Sequence, residues 1–378
     1  MNIKDYIIKE AEKIGIDIIG FTGVKPFENM KKLLKERRDK GYETEFEEND
    51  IELRYNPKKV MPNSKSIIVI GVSYNLHYKS SKKFNARGRL SKSSWGRDYH
   101  TVLKNKLEEL ADAIKKVKEF DYKIFVDTGP LIDREIAKRA GIGWYGKNCS
   151  IINDKYGSFI FIGYMITNLD LEENSPLEEK CKTCDLCIRA CPTNALEENY
   201  KINATRCISY LTQTKRKIPY DLRDKMGIKI YGCDTCQLVC PKNKGVNKGN
   251  CESFLPEKTR GYIEIEELFN LSNKEFKKKY GHMAGSWRGK NVLKRNCIIA
   301  IGNMKDKTYL DLLKQTLKDP SPMIREYTAW ALLKIEPNEG KKVIKEHLKI
   351  EKDDNVKNEM KKLLEYFEGG IIENRYNV

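Results

Sequence analysis

The stretch CKTCDLCIRACP, residues 181–192, places four cysteines within eleven positions and ends on a proline. A shorter, related stretch, GCDTCQLVCP, follows at residues 232–241. Eight of the eleven cysteines in the chain lie between residues 181 and 240. The first twenty residues do not have the apolar run of a secretory leader, so we expect a reducing compartment. Thiols in such a compartment bind metal more often than they pair as disulfides.

The spacing of the first stretch, C-x2-C-x2-C-x3-C-P, distinguishes two kinds of metal site. Zinc is satisfied by four thiolates in paired C-x2-C knuckles. The present run is instead that of bacterial ferredoxins, in which three close cysteines hold one cluster and the fourth holds the other cluster. The sequence therefore favours two 4Fe-4S clusters, with zinc as the alternative.

The second stretch contains only part of this pattern. Aligned on its proline, it supplies Cys233, Cys236 and Cys240, but Ile230 stands where the first ligand should be. Cys207 is the one cysteine of the segment that has no other assignment, so we predict that it fills the missing place. The predicted first cluster is held by Cys181, Cys184, Cys187 and Cys240, and the second by Cys191, Cys207, Cys233 and Cys236.

Length and charge constrain the rest of the chain. A length of 378 residues exceeds what one core supports and predicts two or three domains. The net charge is +17, and residues 201–250 alone contain eleven Lys or Arg against three Asp. A nucleic-acid partner would explain this excess, and so would compensation for anionic clusters. The apolar runs at 66–72 and 158–166 are too short to span a membrane as helices, so we read them as buried strands.

Upstream of the cysteines, strand-like runs alternate with helical patterns over about 170 residues, which predicts an α/β layer structure. Asp127 ends the predicted strand KIFVD, at a sheet edge of the kind where ligands bind. Burial beside an apolar ligand would raise its pKa and make it a candidate general acid. The alternative is that Asp127 caps the helix LIDREIAKRAG. No metal-ligating histidine is predicted at His100.

Downstream, three segments at 291–304, 322–335 and 355–367 recur at intervals of about thirty residues. Each combines a small-apolar face with a basic residue near its start, as in HEAT-like helical repeats. Stacked repeats present a surface to a macromolecule, and a purely structural cap is the alternative.

The chain is similar from end to end to the epoxyqueuosine reductase family, the tRNA-modifying relatives of corrinoid reductive dehalogenases. FVDTGP, GIGWYGKN, RCISYLT, the two cysteine stretches and the helical repeats carry this resemblance. It implies a cobalamin-binding α/β domain at residues 1–172. A bacterial-type two-cluster ferredoxin insert would follow at 173–250, and a linker with an all-α HEAT-like domain at 251–378.

The resemblance also implies a reaction, namely the reduction of epoxyqueuosine to queuosine at the wobble position of tRNA, the last step of queuosine synthesis. Asp127 would donate the proton. The implied cobalamin contacts are Arg54, Arg97, Asp127, Ser209, Cys233 and Asp234. The residues expected to contact phosphates of the anticodon stem-loop are Lys215, Arg216, Lys217, Arg288 and Arg325.

We further expect a monomeric cytoplasmic enzyme that receives electrons from an external one-electron donor and binds no membrane. Two other functions fit parts of the sequence. A corrinoid iron–sulfur reductase acting on a small molecule, as dehalogenases do, would need no basic repeat-bearing tail. A non-enzymatic electron carrier would leave the α/β domain unexplained.

Overall fold

The computed structural model describes residues 2–78, 87–198 and 200–368. The elements that precede the cysteines are, in order, α1 Ile3–Ile14, β1 Ile18–Gly23, α2 Glu28–Asp39, α3 Ile51–Tyr55, α4 Pro57–Val60, β2 Ser66–Ser73, β3 Arg87–Leu90, α5 Tyr99–Lys115, β4 Tyr122–Phe125, α6 Asp133–Arg139, β5 Trp144–Tyr145, β6 Ile151–Ile152 and β7 Ile160–Thr167.

Four of these strands form a sheet in the order β1-β2-β7-β4. Strand β2, SIIVIGVS, is buried along its whole length because helices cover both faces of the sheet. Ile68 and Ile70 pack with α1 and α5 on one face. Ile67 and Val69 pack with α2 and α6 on the other. The predicted α/β layers are therefore present as a helix–sheet–helix arrangement.

Every strand pair in this sheet is antiparallel. The rule that ligands bind at the carboxyl ends of strands applies to parallel sheets, so it cannot explain the position of Asp127. Our reason for expecting a ligand there was wrong. The loop that follows β4 brings Asp127 to the site instead.

The cysteine-rich segment and the remainder of the chain contain short elements followed by longer helices. They are α7 Leu186–Arg189, β8 Leu196–Glu198, β9 Lys201–Ile202, α8 Ile208–Leu211, α9 Tyr220–Met226, β10 Lys229–Tyr231, α10 Thr235–Leu238, β11 Tyr262–Glu264, α11 Ile265–Asn270, α12 Asn273–Tyr280, α13 Lys290–Met304, α14 Leu310–Thr316, α15 Pro322–Ile335, α16 Pro337–Leu348 and α17 Asp354–Glu368.

The three segments expected to be repeat helices are α13, α15 and α17. Helix α15 lies at the centre of this group and packs against α13, α16 and α17. Its Trp330 is 1% exposed, and the Cβ of a residue larger than glycine at Gly302 of α13 would meet the Trp330 ring at 2.5 Å. The helical repeat arrangement predicted from the sequence is confirmed for the described residues. The last ten residues of the predicted third domain, 369–378, lie outside them.

A three-stranded sheet joins all three predicted segments, in the order β10-β3-β11. Strand β3 precedes the cysteines, β10 lies between the two cysteine stretches, and β11 follows them. Arg295 of α13 strengthens this junction, because its guanidinium donates to the Thr214 and Leu211 carbonyls at 2.6 and 2.8 Å. The segments thus share backbone hydrogen bonds and one core.

The insertion between Cys207 and Cys233 is largely buried. Its apolar residues Ile218, Leu222 and Met226 are 0–3% exposed and pack in the core of the helical repeats. Its longest exposed stretch is residues 215–217, and single exposed residues lie at 219, 224 and 228. Within the residues that are described, no helix is long and apolar enough to cross a membrane.

Candidate active site and cluster-binding site

The first predicted set of four cysteines lines a single small cavity. Cys181, Cys184 and Cys187 enter it from the turn that leads into α7, and Cys240 enters from the turn after α10. Burial, together with the neighbouring Cys240 and Cys181, raises the pKa of Cys187 to about 11. Among the described residues, no three His, Cys, Asp or Glu side chains are grouped to hold a single ion. Thiols that wall a cavity in this way fit a four-iron cube.

The second predicted set is also gathered in space, and Cys207 belongs to it. Burial, together with Cys233 and Cys191, raises the pKa of Cys207 to about 11. Burial also raises the pKa of Cys236, and the charges of Cys207, Cys233 and Cys191 raise it by smaller amounts. These mutual effects place the four thiols in the same part of the segment. Cys207 directly precedes α8, so the start of this helix positions the thiol that takes the place missing from the second stretch.

Asp127 lies in the loop after β4, with a left-handed backbone at φ 57°. Its Oδ2 accepts a hydrogen bond from the Tyr99 hydroxyl at 2.6 Å. The Nε2 atom of His100 lies 3.6 Å from the same oxygen. Helix α6 begins at Asp133 without a side-chain cap, so the interpretation of Asp127 as its cap is wrong.

The first turn of α5 positions both partners of Asp127. Asp98 caps this helix by accepting from the backbone N–H of His100 at 3.0 Å. The same carboxylate oxygen lies 2.7 Å from Nδ1 of His100, which fixes the ring between two acids. Tyr99 stacks on His100 and, with ring planes 6° apart, on Phe161. Sequence reasoning missed His100 and Tyr99, although the helix start at Asp98 marked the place.

The proton of this group resides on the histidine. Burial alone would lower the pKa of His100, but contacts with Asp127 and Asp98 outweigh it and raise that pKa to about 9. Burial would raise the pKa of Asp127, yet His100 and Tyr99 hold it below its ordinary value. The rise in the pKa of Asp127 that we expect beside an apolar ligand stays a prediction. The Asp127 side chain is 62% exposed, so water stabilises its carboxylate together with Tyr99 and His100.

A tyrosine connects Asp127 to the second thiol set. Burial raises the pKa of Tyr231. The hydrogen bond with Trp287 lowers it, and the charges of Asp127 and Asp98 raise it. Tyr231 precedes Cys233 by two residues, a separation of about 7 Å at most. We call the exposed side of the Asp127 carboxylate the Asp127 opening. Because the charge of Asp127 acts on Tyr231, the nearby Cys233 of the second set lies toward this opening.

The other predicted cobalamin contacts differ in whether their side chains are already engaged within the protein. The Arg54 side chain is 10% exposed and donates to Glu47 at 2.8 Å and Glu43 at 3.2 Å, so its guanidinium is already engaged in the protein. This argues against Arg54 as a ligand contact. Asp234 is buried and accepts from the backbone N–H of Lys92 at 2.8 Å, which ties the second stretch to the segment after β3.

Two further residues of that set remain open to solvent to different degrees. The Arg97 side chain is exposed, while its backbone N–H donates to the Ser253 carbonyl at 2.7 Å. Ser209 is half-buried, and its carbonyl accepts from Thr212 and Gln213 at 2.9 Å.

The five predicted phosphate contacts also divide into two groups. Lys215 and Arg216 are exposed, and Arg288 lies beside them with its Nε donating to the Gln213 carbonyl at 2.9 Å. Lys217 is paired with Glu359. Arg325 forms a bidentate pair with Glu351 at 2.7 and 2.8 Å and is only 12% exposed. Arg325 is thus committed to the helical core, and its predicted phosphate contact is not supported.

Aromatic side chains that were not predicted stand next to the exposed cations. Trp287 is 54% exposed and Phe46 39% exposed, with ring centroids 5.4 Å apart. The Arg288 guanidinium lies 4.7 Å from the Trp287 ring and 5.3 Å from that of Phe46. The Trp287 indole N–H and the Tyr231 hydroxyl donate to the same oxygen of Gln213, at 3.0 and 3.1 Å. This aromatic and cationic surface adjoins the Asp127 opening.

The fold and the two thiol sets define an iron–sulfur protein with an α/β domain and a helical repeat domain. Three family profiles match these parts in order. They are described as "Epoxyqueuosine reductase QueG, DUF1730" at residues 54–128, "4Fe-4S double cluster binding domain" at 180–243 and "HEAT repeats" at 289–365. The second of these favours clusters over zinc.

Individual relatives are similar over nearly the whole chain. An epoxyqueuosine reductase of Bacillus cereus is 43% identical over 368 residues, which are 96% of this chain and 97% of the relative. A solved epoxyqueuosine reductase with a stem loop of epoxyqueuosine-modified tyrosine tRNA has a TM-score of 0.92 at 42% identity, covering 97% of this chain and 100% of the other. One from Bacillus subtilis, with its catalytic aspartate loop swung out of the active site, has a TM-score of 0.90 at 42% identity, covering 96% and 99%. The chain belongs to the epoxyqueuosine reductase family.

Proposed function

We propose that this chain reduces epoxyqueuosine to queuosine at the wobble position of tRNA. The observation that carries the proposal is 43% identity to an epoxyqueuosine reductase across 96% of this chain and 97% of the relative. Such a match includes the α/β domain, the cysteine segment and the helical repeats together. It favours this reaction over a dehalogenase-like reduction of a small molecule and over electron carriage alone.

Two 4Fe-4S clusters supply the electrons, and their proposed ligands are the two thiol sets. The clusters adjoin, because Cys187 of the first set acts electrostatically on Cys236 of the second. The second set reaches the Asp127 opening through Cys233 and Tyr231. Clusters held by these two sets would carry electrons from an external one-electron donor toward the Asp127 opening.

The reducible group of this opening is cobalamin, which when bound supplies a strongly reducing metal centre for cleaving the carbon–oxygen bond. The residues present are compatible with it. The accessible carboxylate of Asp127 and the second thiol set border the same opening, so a reducible cofactor there would lie between proton and electron sources. Arg97, Ser209, Cys233 and Asp234 remain its proposed contacts from this chain. Arg54 would serve indirectly, through the loop that it ties to Glu43 and Glu47.

Asp127 and His100 deliver the proton that the departing oxygen requires. With a pKa of about 9, His100 is protonated at neutral pH and lies 3.6 Å from the Asp127 carboxylate. Asp127 faces the accessible side, so it relays the proton from His100 to the substrate oxygen. Tyr99 orients the carboxylate by its 2.6 Å hydrogen bond and remains protonated, because burial and Asp127 raise its own pKa. The solved relative whose catalytic aspartate is carried by a loop supports this role for the loop residue Asp127.

The tRNA binds over the surface formed by Lys215, Arg216, Arg288, Phe46 and Trp287. Cations attract the phosphate backbone, and exposed aromatic rings stack on unpaired bases. Since Trp287 and Tyr231 share the Gln213 oxygen, a base on this surface lies next to the opening where its neighbour reacts. The structure of a relative with a tRNA stem loop supports an RNA substrate. This reaction belongs in the cytoplasm, and we retain the expectation of a monomer.

The proposal is tested by turnover after anaerobic reconstitution with iron, sulfide and cobalamin. The substrates are an epoxyqueuosine-containing tRNA stem loop and, separately, a halogenated phenol. Nucleoside analysis should show queuosine, and no halide should be released. The Asp127→Ala variant, which should retain iron and cobalamin, is the matched inactive control. Halide release without queuosine would favour the dehalogenase-like alternative.

A further inference from the structure

The loop at residues 143–150, which we call the cluster-one loop, crosses from the α/β domain to the first thiol set. It includes β5 and the turn that leads to β6. Trp144 is 1% exposed and packs on Cys240 and Cys181. Lys147 and Asn148 line the cavity that the four thiols surround. The predicted ferredoxin insert therefore does not enclose its first cluster alone.

Two polar groups of this loop are buried without an acceptor in the protein. Asn148 is 6% exposed, and its Oδ1 accepts from the Ser150 backbone N–H at 3.1 Å. This bond fixes the orientation of the amide. Its Nδ2 group is then a buried donor that has no hydrogen-bond partner. The indole N–H of Trp144 is likewise buried with no partner within hydrogen-bond geometry.

Both groups border the first thiol set. Trp144 packs on Cys181 and Cys240, and Asn148 lines the cavity with all four thiols of the set. Buried donors nearly always have an acceptor, because leaving one unsatisfied costs free energy. The sulfurs of a bound cluster are acceptors at the right place.

We propose that Trp144 and Asn148 donate hydrogen bonds to the sulfurs of the first cluster and thereby raise its reduction potential. Reduction adds one electron, from an external one-electron donor, and no proton, so the negative charge on the cluster sulfurs grows. Donors that point at those sulfurs stabilise the reduced cluster more than the oxidised one. This proposal rests on the ligand sets given under the proposed function.

Positive charge on the same wall acts in the same direction. Lys147, Lys180 and Lys242 all line the cavity, and Lys147 is 6% exposed, with its ammonium donating to the Lys182 carbonyl. The second thiol set has a different environment. Its sulfur contacts come from nearby in the chain, such as the Ala195 N–H at 3.3 Å from Cys191 Sγ. The first cluster is therefore the one that accepts the electron from the donor more readily.

The test is a potentiometric titration of the reconstituted full-length chain with dithionite, followed by electron paramagnetic resonance. Trp144→Phe removes the N–H and keeps the ring. Asn148→Asp keeps the acceptor for Ser150 and removes the donor. Each variant should lower one of the two cluster midpoints and leave the other in place. We expect about a tenfold change in the reduction equilibrium, which is ~59 mV for one electron.

Tyr145→Phe is the matched control on the same loop, because its hydroxyl faces Arg134 and Cys149. It should leave the first-cluster midpoint unchanged. Unmoved midpoints in both donor variants at full iron loading would overturn the proposal. Loss of iron from both variants would also overturn it, since the two side chains would then hold the cluster rather than tune it. A wild-type chain that binds only one cluster would instead refute the ligand sets, which separates the two failures.

Discussion

The His100→Gln substitution perturbs the proposed proton relay most selectively. The glutamine amide can still donate a hydrogen bond toward Asp127, but it is not acidic enough to transfer a proton. The pKa of His100 is raised from 6.5 to about 9 by Asp127 and Asp98 against the opposing effect of burial. At ~1.4 kcal/mol for each unit, this corresponds to about 3 kcal/mol, which we reduce to about 1–2 kcal/mol because solvent reaches both partners.

The consequence for the rate follows from general acid catalysis. With the charged proton donor lost, we expect turnover of the reconstituted enzyme at pH 7 to fall by roughly 10²-fold. The wild-type rate should be level at neutral pH and fall as the pH rises through about 9, where His100 loses its proton. His100→Gln should lack this alkaline fall. The assay is single-turnover formation of queuosine in a stem-loop substrate between pH 6 and 10, with iron and cobalamin measured in each sample.

The same pair contributes to stability with a defined sign. Because the folded-state pKa of His100 is raised, its contribution is fully present below pH ~6.5 and is lost as the pH rises through about 9. His100→Gln should therefore unfold more easily than the wild type at pH 6 and equally at pH 10. A variant that keeps the wild-type rate and the wild-type alkaline fall would refute the relay.

Substitutions at four further residues test other parts of the account. Cys207→Ser should lower the iron content by about one cluster, from about eight to about four atoms per chain, and full iron loading would remove Cys207 from the second set. Arg325→Ala breaks the buried pair with Glu351 and should destabilise the protein by about 3 kcal/mol while leaving tRNA affinity unchanged. Arg216 is exposed, so Arg216→Ala should instead weaken salt-dependent tRNA binding with little change in Tm. The reverse result would return Arg325 to the RNA surface. Trp287→Ala should weaken stem-loop binding by about 1–3 kcal/mol and Trp287→Phe by less, as measured by fluorescence anisotropy, and equal loss in both would argue against stacking.

The grouping of the cysteines into two sets could be predicted because the information in their spacing is local. Their spacing within each stretch states which thiols act together, and Cys207 followed by elimination. The helical repeats were similarly readable from their period. The sheet β10-β3-β11 was not predictable, because its strands come from residues 87–90, 229–231 and 262–264 and pair only in three dimensions.

Individual charged side chains were the least predictable part of the site. Arg54 and Arg325 were chosen as ligand contacts by their position, but Glu47 and Glu351 engage them, and the sequence does not reveal such pairing. His100 was passed over because no metal motif includes it. Its role depends on a loop 27 residues later that turns Asp127 back toward the start of α5.

The measurement that tests the central claim most directly is the queuosine content of tRNA in a bacterial strain that lacks its own epoxyqueuosine reductase. Expression of this chain with cobalamin supplied should replace epoxyqueuosine by queuosine, and Asp127→Ala expressed to the same level should not. Persistence of epoxyqueuosine in the presence of the iron-loaded wild-type chain would contradict the proposed function.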